Sequence, residues 1–401
     1  MRTVGAVVGA LTAVAMGFAP SAVAYDAQSK QWYLDPMKAE QMWKASTGKG
    51  VKIAVIDTGV NADTPSLKGQ VLTDEVPKSV SYRSTNDYLG HGTTMAELIA
   101  GTGSDGGLQG LAPGAKIVPF RVELEGLKGA EEKKKTPAAW EAVRAAADTD
   151  VKIISMSIGG MTTDEDEAAI EYAASKGKLL VAAAGNAGEG KGLIDYPAAY
   201  PYVIGVSSMD ESGTVSKFSS HGNYVDLAAP GQDFPGWCDA SFRSYCDDTA
   251  GTSPATAITS ASAALIWSAH PTWTVNQVVR SLIDTAGRDW AKDDPSTYLG
   301  YGAIRPRVVL EDADYDAGPA NVDPLAKENG GGATTEATPS PSASASSQAS
   351  EKDSGGATSA AGSTAESSND SNLLWITLGA AAAVIVFGGA GAAVVRARRA
   401  R

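Results

Sequence analysis

Metal-ligating residues are scarce in this chain: 401 residues carry only three histidines and two cysteines. Neither type recurs at a zinc spacing, which requires paired Cys or His ligands a few residues apart. No loop is dense enough in oxygen ligands to place calcium. No metal and no cofactor is therefore expected. Positive charge is also deficient, with a formal net charge of −13. Nucleic-acid binders show a basic patch or stripe, so no nucleic-acid partner is expected. No internal repeat is found.

Long apolar runs are confined to the two ends. Residues 1–24 read as a secretory signal peptide. Arg2 supplies the positive start, Val4 to Ala19 the apolar stretch and Ala22-Val23-Ala24 the small-residue cleavage site. A first membrane helix is the competing reading, disfavoured by the short run and the Ala-x-Ala ending. Residues 373–395 are 23 residues without a charge. As a helix they reach about 35 Å, enough to cross a bilayer core. Arg396, Arg398, Arg399 and Arg401 follow as a basic tail, residues 396–401, expected to stay cytoplasmic. The expected protein is single-pass in the cell membrane, with its N-terminus outside. No sorting motif precedes the apolar run, so removal of the tail is the lesser reading. Gly388 and Ala392 form a small-xxx-small pair suited to packing on a partner helix.

Between these ends the composition changes twice. Residues 25–50 are a polar extension punctuated by Tyr25, Trp32, Tyr33 and Trp43. Residues 51–317 alternate buried-strand runs with helical stretches. The strands are expected at residues 51–56, 116–122, 152–156, 179–183 and 202–206. The helices are expected at residues 93–100, 137–147, 164–176 and 252–270. That alternation implies an α/β fold, a mostly parallel sheet with helices on both faces. The charged stretch from Glu123 to Lys135 reads as a solvated loop or as one wall of a binding site. Residues 318–370 are rich in Ser, Ala, Thr, Gly and Pro and poor in large apolar residues, and are expected to be a disordered linker. The two cysteines, Cys238 and Cys246, lie in the part expected outside the membrane, where disulfides persist. Gly236 and Asp239 suggest a loop there. A disulfide closing it would add on the order of 2 kcal/mol.

Three short blocks carry the chemistry. Val55-Ile56-Asp57-Thr58-Gly59 puts an acid at the end of a buried strand. Gly90-His91-Gly92-Thr93 puts a histidine between glycines at a helix start. Gly251-Thr252-Ser253-Pro254-Ala255 puts a serine at the entry of a long helix. Each alone has a plain structural explanation as a turn, a loop or a helix cap. Their order, Asp then His then Ser, is that of one type of serine-protease triad and not of the others. The other histidines fit structural roles: His270 ends a helix before Pro271, where the dipole favours it, and His221 reads as a surface turn. An α/β-hydrolase elbow uses the N–H of the residue after its serine. Here that residue is Pro254, which has none, and the fifth position of the Gly-x-Ser-x-Gly pattern is Ala255.

The three blocks resemble the active-site signatures of the subtilisin-like serine proteases, the subtilases of peptidase family S8. Four further blocks fall in that family's order: residues 110–115, 155–160, 182–186 and 225–231. The resemblance spans residues 45–310 and implies a subtilisin-like three-layer fold and a serine endopeptidase acting on protein or peptide substrates. It implies catalytic Asp57, His91 and Ser253, with Asn186 as oxyanion donor. It implies substrate contacts at Ser157, Ile158, Gly159, Ala184 and Gly185. The chain departs from the family at Thr94 and Glu97, where a histidine and a glycine are usual, and at Ala257, where a proline is usual. About 30 residues precede the Asp57 strand after the expected cleavage site, short for a family pro-domain. The layout resembles the mycosins, membrane-anchored subtilases of type VII secretion systems, and implies secretion-complex membrane proteins as partners. A scaffold subunit with minor proteolysis and a general surface protease are the alternatives.

Overall fold

The computed structural model describes residues 25–190 and 194–329. The expected signal peptide, transmembrane helix and basic tail lie outside them, as does the linker beyond residue 329. Among the described residues no helix is long and apolar enough to cross a membrane.

In chain order the elements are α1 (Ala39–Ala45), β1 (Lys52–Asp57), α2 (His91–Ala100), β2 (Lys116–Arg121), α3 (Ala130–Lys135), α4 (Ala139–Ala147) and β3 (Ile153–Met156). There follow α5 (Asp164–Ser175), β4 (Leu179–Ala183), β5 (Val203–Met209), β6 (Leu227–Pro230), β7 (Phe234–Trp237), β8 (Tyr245–Thr249), α6 (Thr252–Ala269), α7 (Val275–Thr285) and α8 (Pro306–Glu311). Strands β1 to β6 form one sheet in the order β2-β1-β3-β4-β5-β6, every pair parallel. Strands buried on both faces need no polar alternation, which is why they read as continuous apolar runs.

Each face has its own core. Ile53 and Val55 point to one side, packed with Leu98 and Ile99 of α2 and Ile258 and Leu265 of α6. Ala54 and Ile56 point to the other, packed with Val143 and Ala146 of α4 and Ile170 and Ala173 of α5. This is the period-two alternation of strand side chains carried into two layers of helix. Helix α6 is buried almost all round and owes its tight fit to small residues such as Ala257, Ala261 and Ala264.

The strand order reverses at β1. Its neighbour β2 lies to one side, while β3 to β6 run away on the other. In open parallel sheets, ligands bind beyond the carboxyl ends of the strands at such a reversal. Asp57 ends β1 and Ser157 follows β3, so both stand at that crevice.

Three expectations need correction. The extension 25–50 is part of the folded body, since Ala27, Tyr33, Ala39 and Met42 are buried in the α6 face core. Residues 318–329, read as the start of the linker, continue the body: Leu325 is buried, and Val322 O accepts from Arg280 of α7. The charged stretch Glu123–Lys135 is not all loop. It ends in α3, whose Glu132 pairs with the buried Arg121.

Candidate active site

Asp57 is fully buried, and its Oδ1 accepts from Thr58 N at 2.7 Å and from His91 Nδ1 at 2.7 Å. Its Oδ2 is buried without a partner. The bond to Oδ1 places the proton on Nδ1 and leaves Nε2 free to accept. The His91 side chain is 18% exposed, so one edge of the ring stays open. Burial pushes the imidazole pKa down, but the charge and hydrogen bond of Asp57, with the charge of Asp87, outweigh that and hold it above its ordinary value.

His91 is held by the start of α2. Gly92 is required there because a Cβ would stand 2.2 Å from Gly59 O and 3.0 Å from the Asp57 Cβ. The helix start is organised by Asp87, which sequence reasoning passed over. Its Oδ1 accepts from Thr58 Oγ1, Leu89 N and Gly90 N, and its Oδ2 from Thr93 N and Oγ1. Thr58 Oγ1 also takes up Gly92 N. One buried carboxylate thus ties the Asp57 turn to the His91 helix. An acid four residues before a histidine at a helix start was the available signal.

Ser253 lies in the first turn of α6. Its Oγ donates to Ser157 O at 3.3 Å, while Ser157 Oγ donates back to Ser253 O at 3.0 Å. Among the described residues Ser253 Oγ makes no hydrogen bond to His91. Asn186 Oδ1 accepts from Thr252 N at 2.9 Å and from Thr252 Oγ1 at 3.2 Å. A backbone N–H can only donate, so the amide orientation follows: Nδ2 is the free end. Thr252 N is used in this way, and Pro254 has no N–H. That leaves the Ser253 amide as a first-turn donor with no backbone partner among the described residues. Two donors, Asn186 Nδ2 and Ser253 N–H, are therefore available beside the serine, at the positive end of an 18-residue helix.

The candidate substrate residues divide. The backbone groups of Ile158 and Gly159 take part in no backbone hydrogen bond among the described residues, and Gly159 is exposed. They form a free edge of the kind an extended peptide pairs with. Gly185 has φ +105 and sits beside Asn186. Ala184 does not face the crevice: it is fully buried, its N–H bonds Val206 O, and its carbonyl accepts from Tyr224 Oη.

The other expected residues sit elsewhere. His221 stacks on Tyr298 at 4.3 Å and His270 on Trp273 at 3.9 Å. Burial lowers the His270 pKa, which works against a charge at the helix end, and the ring stacks on Trp273. Cys238 and Cys246 are bonded across the antiparallel β7–β8 pair. Thr94 and Glu97, the departures on α2, face that hairpin: Thr94 Oγ1 accepts from Trp237 N, and Glu97 Oε2 from Tyr245 Oη.

A parallel α/β sheet, an Asp–His pair at its switch point, and a helix-borne serine with two free donors define a serine endopeptidase of the Asp-His-Ser order. The chain belongs to the subtilase family, peptidase S8, whose model matches residues 48–302. It is 36% identical to thermitase of Thermoactinomyces vulgaris over 233 residues, 57% of this chain and 78% of that one. It is 33% identical to the minor extracellular protease Epr of Bacillus subtilis over 72% of its own length, though the match spans only 43% of Epr. Among solved structures it is similar to MycP1 from Mycobacterium smegmatis, with a TM-score of 0.59 and 26% identity, covering 72% of this chain and 86% of that one. It is also similar to the MycP3 protease from the type VII (ESX-3) secretion system, with a TM-score of 0.57 and 29% identity, covering 70% and 87%.

Proposed function

We propose that this protein is an exported, membrane-anchored serine endopeptidase that works with a secretion apparatus of the type VII kind. The observation that carries the chemistry is the buried 2.7 Å Asp57–His91 bond at the end of β1, next to the strand whose following residue, Ser157, exchanges hydrogen bonds with a serine whose own N–H is unspent. A serine hydroxyl is a weak nucleophile and needs an adjacent base. A peptide paired along Ile158–Gly159 presents its carbonyl to Ser253. His91 Nε2 takes the Oγ proton as Oγ attacks, and Asp57 holds the tautomer and stabilises the imidazolium. Asn186 Nδ2 and Ser253 N–H receive the oxyanion. His91 then protonates the leaving amine, the acyl group stays on Ser253, and a water activated by His91 releases it. The secretion role is supported by the likeness to MycP1 and MycP3 and by the order of signal, subtilase domain, linker and apolar span.

The test is labelling of the full-length protein, in membranes or detergent, with a fluorophosphonate. Labelling at Ser253, lost in Ser253→Ala, is expected. A folded chain that does not label sinks the enzyme reading and leaves a non-catalytic subunit. Purification from solubilised membranes without any secretion-complex component would leave a general surface protease.

A further inference from the structure

The crevice contains a carboxylate that the triad does not use. Asp195 lies in the chain that closes the slot between residues 157–160 and 183–186. Tyr196 N donates to Gly160 O at 3.0 Å, which ties this chain to one wall. The carboxylate stands between two glycines. A Cβ on Gly159 would lie 3.3 Å from Asp195 Oδ1, and one on Gly185 would lie 1.7 Å from Asp195 Oδ2. Both walls are thus bare of side chain where the carboxylate enters. Gly185 directly precedes Asn186, so the carboxylate sits beside the donor that would receive the substrate oxyanion.

Its charge is poorly answered. Asp195 is half-buried, and among the described residues its side chain accepts one long hydrogen bond, 3.5 Å from Ser220 Oγ. No lysine or arginine among the described residues forms an ion pair with it. Burial raises its pKa and the Ser220 hydroxyl only partly opposes this, as expected of a carboxylate awaiting a partner. Among the described residues the groups facing it are uncharged: the Ser220 and Tyr224 hydroxyls and the backbone of Gly159 and Gly185. Partly buried carboxylates are usually paired, so an unpaired one in a binding slot marks the place for a cation.

The geometry says which part of a substrate would supply it. With the scissile carbonyl between Asn186 Nδ2 and Ser253 N–H, the residue on its acyl side lies over the gap between Gly159 and Gly185. That residue's side chain has the slot as its exit, and Asp195 lies in it. We propose that Asp195 makes the enzyme select lysine or arginine as the residue whose carbonyl is cleaved. The inference rests on the endopeptidase reading above and deepens it by naming the substrate class. A compact ammonium meets one carboxylate oxygen, and a guanidinium can span both. An acidic side chain is repelled, and a large aliphatic one leaves the carboxylate buried and unpaired.

The test uses the full-length protein, its active sites counted by fluorophosphonate labelling. Peptides of one flanking sequence vary only the acyl-side residue among Lys, Arg, Ala, Leu and Glu. The expected kcat/KM for Lys and Arg exceeds that for Leu by about 10- to 100-fold, the worth of a charge-assisted hydrogen bond. In Asp195→Asn the Lys-to-Leu ratio falls towards one, and in Asp195→Lys the Glu peptide overtakes the Lys peptide. A labelled wild-type enzyme that prefers Ala or Leu overturns the proposal and leaves the endopeptidase reading standing. A Lys preference that survives in labelled Asp195→Asn overturns the assignment to Asp195. Absence of labelling in folded protein overturns both.

Discussion

Burial alone would make His91 a weaker base, yet Asp57 at 2.7 Å and the charge of Asp87 hold its pKa above the ordinary 6.5. The ring must be neutral to take the Ser253 proton. The kcat/KM profile should therefore rise with pH through a midpoint above 6.5. Asp87→Asn removes one of the two charges and should move that acid limb to lower pH. It should also cost on the order of 1–3 kcal/mol in urea denaturation, because an amide NH₂ would face backbone and hydroxyl donors. A stability loss with an unmoved limb would reduce Asp87 to a structural residue. Asn186→Ala should lower kcat by about 10²–10³ with KM little changed, the worth of one oxyanion donor. Asp57, His91 and Ser253 could be read in the sequence because they stand in a triad order, whereas Asn186 was implied only by the family resemblance of residues 182–186. Asp87 was not singled out, and Asp195 even less so. Its meaning depends on two glycines, 36 and 10 residues earlier in the chain, that only folding brings against it.

The β7–β8 hairpin shows what the unusual residues of α2 do. Glu97 is fully buried, accepting from Thr64 Oγ1 at 2.7 Å and Tyr245 Oη at 2.8 Å. Trp237 stacks on Tyr245 at 3.9 Å. The hairpin thus rests on the helix whose first residue is His91. Burial pushes the Glu97 carboxyl up to about 7, against the two hydroxyl hydrogen bonds that lower it. A raised folded-state pKa favours the fold while the group stays protonated. Stability should therefore be highest below about pH 4.5 for this group and fall by on the order of 3 kcal/mol as pH climbs to about 7, then level off. Glu97→Gln cannot ionise and should flatten that slope in urea titrations from pH 4.5 to 8. An unchanged slope would assign the pH dependence elsewhere. Reducing the Cys238–Cys246 bond should cost about 2 kcal/mol and loosen the hairpin first, measurable as hydrogen exchange at Trp237 and Tyr245. The hairpin escaped sequence reasoning for a physical reason: β7 contains Pro235, and β8 includes two consecutive aspartates, so neither has a strand pattern. Helix α7 was missed despite a clear signal, the Thr274–Gln277 capping box before an amphipathic run. The sheet was legible because strands buried on both faces leave uninterrupted Val, Ile, Leu and Ala runs.

At the scale of the whole molecule, residues 25–50 decide how much of the chain the folded enzyme needs. Composition makes them a polar lead, since their aromatic residues are scattered and their partners lie far along the chain. In the fold, Tyr33 is fully buried and meets Phe234 with ring centres 4.9 Å apart. Trp32 Nε1 donates to Gln232 O and Trp43 Nε1 to Leu111 O. Lys30 reaches Asp247 of β8, but both side chains are nearly half exposed, so that pair contributes little. The apolar contacts dominate: burying Tyr33 and Met42 is worth roughly 2–3 kcal/mol each. Tyr33→Ala should accordingly cost about 3–5 kcal/mol, whereas Lys30→Ala should cost under about 1. A removable inhibitory segment would behave in the opposite way, leaving the folded body intact when cut. Residues 27–45 should therefore be retained in the working enzyme, and a chain beginning at Val51 should fail to accumulate as folded protein. N-terminal sequencing of the membrane-purified protein decides it. A start beyond Ala45 on a labelled, active enzyme would mean that α1 and the segment before it are dispensable, and that the core they complete closes without them.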